Sequence, residues 1–135
     1  MKLRALALAA AIAAEPMLYF GLPLPPPAAQ AQPQQPISFK ADILPILGRH
    51  CMPCHAPGGD GAKADGMIMT SYADVMKGTK YGPMIVPGDP AASNLMRLLD
   101  WQVSPQLRMP HNQNMLPAVE RDAIRTWIRQ GAKDD

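Results

Sequence analysis

The sequence predicts a small all-α domain with long loops, and three observations predict it. Apolar residues recur at helical spacing in two well-marked stretches, one near residue 40 and one close to the carboxyl end. No stretch alternates apolar and polar residues as a half-buried strand would, and no segment repeats. Gly-rich and Pro-broken stretches, chiefly residues 56–66 and 102–116, separate the helical patterns.

The elements follow in chain order. Residues 1–31 read as a signal peptide or an amino-terminal membrane anchor. Lys2 and Arg4 precede an apolar run, and Ala29-Gln30-Ala31 has the form of a cleavage site. Glu15-Pro16 interrupts the apolar stretch of residues 5–24, which is otherwise nearly long enough to span a bilayer. Either reading sends the remainder of the chain out of the cytoplasm. Residues 32–37 are a Pro/Gln linker with nothing to bury, so the domain is expected over residues 38–135.

Ser38, or Asp42, caps a first helix reaching to about Cys51, with Phe39, Ile43, Ile46 and Leu47 on its apolar face. Residues 56–66 read as a Gly-rich loop. Thr70 or Ser71 caps a short helix over residues 72–77, which Gly78 stops. Asp89-Pro90 reads as a cap followed by Pro at the first helical position, opening a helix to about Asp100. Residues 102–116 read as loop. The last helix starts at Pro117, ends at Gly131, and carries Val119, Ala123, Ile124, Trp127 and Ile128 on one face.

Composition narrows the function classes. With 135 residues there is room for one domain, and a formal charge of +2 with no Lys/Arg run argues against nucleic-acid binding. Two Phe, three Tyr and two Trp make a thin core, which a large buried group would fill. Ten Met is high, and Met67, Met69, Met76, Met84 and Met96 read as core fillers.

Both cysteines lie in Cys51-Met52-Pro53-Cys54-His55. This C-x-x-C-H pattern is the signature of covalent c-type haem attachment. Positions i, i+3 and i+4 share one helical face, so both thiols reach one porphyrin edge while His55 meets the iron. Zinc would need two more ligands, and only His50 and His111 are offered. A thioredoxin-like pair would need a βαβ context, and a disulfide this short is a poor staple. For the sixth iron ligand the first candidate is Met109, in Arg108-Met109-Pro110, with Met115, His111 or an open position as alternatives. Arg108 is a candidate partner for a haem propionate. Tyr72, Tyr81 and Trp101 are candidates to line the haem, whereas Trp127 reads as core.

Further motifs carry a resemblance. Asp42-Ile43-Leu44-Pro45-Ile46-Leu47, the Cys51–His55 motif, Gly66-Met67-Ile68-Met69-Thr70-Ser71-Tyr72, Ile85-Val86-Pro87-Gly88-Asp89-Pro90 with Ser93, Arg108-Met109-Pro110 and Trp127-Ile128-Arg129-Gln130-Gly131-Ala132 together resemble the planctomycete-type cytochrome c domains. The resemblance spans about residues 38–132 and implies a class I-like cytochrome c fold whose first and last helices cross. It implies one covalent haem c with His55 and Met109 as axial metal ligands, and a turn at Val86, Pro87 and Gly88 packed near the haem edge. Where members of that family often place a second Pro after the motif Met, this chain has His111. The implied function is one-electron transfer outside the cytoplasm, as a carrier or a subunit working with other redox proteins. The alternative is a haem enzyme or gas sensor with an open sixth site, served by His111 and Arg108.

Overall fold

The computed structural model describes residues 35–135, so residues 1–31, read above as a signal peptide or anchor, and residues 32–34 of the expected linker lie outside the described residues. Among the described residues six short α-helices make the fold: α1 Leu44–His50, α2 Met52–His55, α3 Asp60–Asp65, α4 Tyr72–Lys77, α5 Asn94–Leu99 and α6 Ala118–Arg129. Among the described residues there is no strand, only an isolated bridge between Thr79 and Gly82. None of the described helices is long and apolar enough to cross a membrane.

The first helical stretch begins as expected and then departs from a single helix. Ser38 Oγ accepts the Ala41 amide (2.8 Å), and the Asp42 carboxylate accepts the Ser38 amide (2.8 Å). Both candidate caps therefore serve one start, each satisfying a donor the helix leaves free. Phe39–Ile43 winds as a π-turn before α1. Pro45 explains this, because it has no N–H for the Ala41 carbonyl and its ring crowds that turn. A second break at Cys51 (φ −115°) separates α1 from α2.

Residues 56–66 are not all loop. α3 lies within them, closed by Gly66 in the left-handed conformation (φ 83°). Its Ala62, Lys63 and Ala64 are good helix formers between two glycines, a weak pattern over so few residues. Ser71 rather than Thr70 caps α4, accepting the Asp74 amide at 3.2 Å. The Asp89-Pro90 helix starts later than expected, at Asn94. Asp89 Oδ1 instead accepts the Ala91 and Ala92 amides (2.9 and 3.0 Å), making a turn. The fully buried Ser93 hydroxyl locks this turn, accepting from the Val86 amide and donating to the Asp89 carbonyl. The stretch 102–116 also contains a 3₁₀ turn, Pro105–Leu107.

The core forms where the π-turn and α4 meet α6. Phe39, Tyr72 and Trp127 pack together with ring centroids 5.3 to 6.4 Å apart, Tyr72 edge-on to the other two and Phe39 tilted against Trp127. Trp127 is fully buried and donates to the Lys133 carbonyl, and the Tyr72 hydroxyl donates to the Ala132 carbonyl. Gln130 ties the amino-terminal segment to α6, accepting the Ile37 amide and donating to the Gln35 carbonyl. Val119, assigned to the apolar face of α6, is instead 75 % exposed. α5 is clamped to α6 by Asp100, which accepts from Arg121 and Arg125 at 2.6 Å each.

Candidate functional site

Beside this core lies a cavity of about 440 Å³, within the usual ~300–1,000 Å³ of cofactor pockets. One wall is the motif itself: Cys51 at the break before α2 and Cys54 and His55 on α2, with His50 at the end of α1. Leu95, Leu98 and Leu99 of α5 and Met67, Met69 and Met84 form apolar walls. Met109, Pro110 and His111 close another part. The fold thus brings together residues 54 positions apart, and the methionines expected to fill the core do so partly by facing this space.

The surroundings of His55 are built in detail. Its Nδ1 lies 3.0 Å from the Met67 carbonyl oxygen. A carbonyl only accepts, so Nδ1 carries the proton and Nε2 keeps its lone pair. That is the arrangement a metal-ligating imidazole needs. The strand-like segment holding Met67 is tied back twice: Asp65 Oδ1 accepts the Met67 amide (2.8 Å), and the His55 carbonyl accepts the Met69 amide (2.8 Å). Gly61, on α3, lies against the ring. A Cβ there would fall 2.6 Å from Cε1, 2.8 Å from Nε2 and 2.9 Å from Nδ1 of His55. Reading residues 56–66 as loop hid this contact. The helix-forming run before Gly66 was the available signal.

The two thiols differ. Cys54 is exposed, while Cys51 is half-buried. Burial, then the neighbouring Cys54 and then Glu120, pushes the Cys51 thiol up to about 12. Glu120 reaches this region from α6, accepting from Arg49 at 2.8 Å; its second oxygen lies 2.9 Å from His50 Nε2. Among the described residues, no three His, Cys, Asp or Glu side chains converge as a metal ion would need, which leaves the zinc reading without a site.

Met109 is held by its backbone: its amide donates to the Leu98 carbonyl (3.3 Å), and its carbonyl accepts from the Trp101 indole (3.2 Å). Arg108 does not line the cavity. Its guanidinium stacks over the Trp101 ring at 4.9 Å, and its Nε is buried without a hydrogen-bond partner. Pro87 also lies off the cavity wall; it is exposed, and the neighbouring Gly88 amide docks on the Ile128 carbonyl of α6 (2.7 Å). Met115, Tyr72, Tyr81, Trp101 and Trp127 do not line the cavity, and Tyr81 is 83 % exposed.

Residues 51–112 match the family model described as Planctomycete cytochrome C. Over that segment the chain is similar to the planctomycete-type cytochrome c domain. The matched segment runs from the first motif cysteine to just past Met109 and so contains Cys51, Cys54, His55 and Met109. No curated protein and no solved structure matches the chain. A cytochrome c domain implies haem c and electron transfer. Two features of the cavity fit such a group: the largely apolar walls, and the Cys51, Cys54 and His55 side chains gathered on one of them.

Proposed function

We propose that this protein carries single electrons through one haem, attached covalently at Cys51 and Cys54 and ligated by His55 and Met109. The observation carrying this reading is that all four side chains line one largely apolar cavity. The bound iron porphyrin would supply the one-electron couple. The chain's own residues would do the rest. Cys51 and Cys54 hold the porphyrin edge. The Met67 carbonyl keeps the His55 proton on Nδ1 and leaves Nε2 for the iron. Met109 offers a thioether, a ligand that raises the potential. The leucines of α5 exclude water from the site.

The amino-terminal pattern supports export, with residues 1–31 as signal peptide or anchor, and membrane association through residues 5–24 if the leader stays. The partners are other redox proteins, a donor and an acceptor. The near-neutral charge favours apolar contact over electrostatic steering in that docking.

Intact mass of the denatured protein and a pyridine haemochrome spectrum test the attachment: one haem should stay bound through denaturation. Met109→Ala should lower the midpoint potential and open the iron to carbon monoxide. An unchanged potential and spectrum would move the ligand to Met115 or His111. One observation favours the second reading, an enzyme or sensor with an open sixth site: His111 lines the same cavity. A high-spin ferric spectrum of the native protein would support that reading.

A further inference from the structure

We infer that Trp101 is a positioning residue that straps the Met109 segment to the end of α5; its effect on the iron rests on the Met109 ligation proposed above. α5 and α6 end in the same hydrogen-bond pattern. At α6 the Gly131 amide donates to the Ile128 carbonyl and the Ala132 amide to the Trp127 carbonyl, both at 2.9 Å. At α5 the Trp101 amide donates to the Leu98 carbonyl (3.3 Å) and the Gln102 amide to the Arg97 carbonyl (2.9 Å). This pattern puts the residue after the cap in the left-handed region. Gly131 occupies it with φ 100°, as sterics favour; Trp101 occupies it with φ 57°. That conformation is costly for a bulky side chain, and a glycine would end α5 with less strain.

What the strained tryptophan does is visible in its contacts. The backbone turn points the indole N–H at the Met109 carbonyl (3.2 Å) and sets the ring under the Arg108 guanidinium (4.9 Å). The Leu98 carbonyl, which accepts the Trp101 amide, also accepts the Met109 amide (3.3 Å). Met109 is thus fastened on both sides to one helix end, and only the indole bond depends on the side chain. Helix ending alone requires none of this, as Gly131 demonstrates.

The test uses the haem-loaded full chain and its Trp101→Phe variant, which keeps the ring and removes the donor. Two readings are taken: imidazole binding to the ferric protein, and hydrogen exchange of the Met109 amide. The variant should bind imidazole roughly three- to tenfold more tightly, and its Met109 amide should exchange faster by a similar factor, with unchanged helical circular dichroism. Equal exchange and equal imidazole affinity overturn the inference. A wild-type protein without a Met–iron charge-transfer band overturns the ligation instead, and the Met109 exchange then reads the strap alone. If Trp101→Phe does not accumulate, Trp101→Gly, which relieves the left-handed strain, must show the same loosening; a Met109 amide as protected as in wild type overturns the inference.

Discussion

Gly61→Ala and Gly48→Ala are the same substitution on two helices, and the structure assigns them opposite signs. Gly48 lies within α1, where a Cβ would sit 4.0 Å from Met52 Sδ, an ordinary contact. Replacing an interior helical glycine by alanine there should stabilise by about 0.5–1 kcal/mol. Gly61 lies in α3 with an unstrained φ, so backbone propensity alone predicts the same gain. The contact geometry says otherwise. The new methyl would stand 2.6 Å from His55 Cε1, and carbon atoms pack at ~3.5–4.0 Å, so something must move by roughly 1 Å. His55 cannot yield freely, because its Nδ1 proton is held by the Met67 carbonyl at 3.0 Å. A shift of that size stretches the bond beyond hydrogen-bonding range and strands a buried donor, at about 1–3 kcal/mol. Overpacking adds about 1–3 kcal/mol. Against the propensity gain, the net expectation is a loss of about 1–5 kcal/mol. Urea unfolding of both variants and wild type measures this, with the midpoint potential as a second reading on the Gly61 variant. Gly61→Ala as stable as Gly48→Ala would refute the reasoning.

Asp100 supplies a pH dependence. Burial opposes its ionisation, but hydrogen bonds from Arg125 and Arg121 override this and hold its carboxyl below the usual carboxylate range. A lowered folded-state value means the contribution is present above the ordinary value near ~3.9 and is lost as pH falls through the folded one. Asp100→Asn should therefore cost about 1–3 kcal/mol at pH 7 and much less near pH 2, followed by unfolding at each pH. Ser38→Ala removes the acceptor of the Ala41 amide and should cost about 1 kcal/mol, read as a lowered Tm. In the haem-free protein at pH 8, iodoacetamide should label the exposed Cys54 well before Cys51, whose thiol stays protonated; equal labelling would contradict the burial of Cys51.

Local signals were the ones legible in the sequence. The C-x-x-C-H spacing needs only one helical turn to bring its groups together, so the motif could be read without the fold. The same holds for the Ser38 and Ser71 caps and for the buried face of α6 around Trp127, each of which depends on residues within a few positions. Competition between local partners misled the reading of Asp89, whose carboxylate satisfies a turn and leaves the helix to begin at Asn94.

The residues that hold His55 and Met109 in place were decided by tertiary structure alone. Gly61 matters because α3 folds back onto an imidazole six positions earlier, and Met67 because its carbonyl, which carries no sequence identity, faces Nδ1. Trp101 looked like a residue that could line the haem; instead its own strained backbone aims it at a carbonyl eight residues away. Residue types and spacing specify which chemical groups a chain possesses. Which backbone atoms those groups meet depends on packing between helices distant in sequence, and no local pattern encodes it.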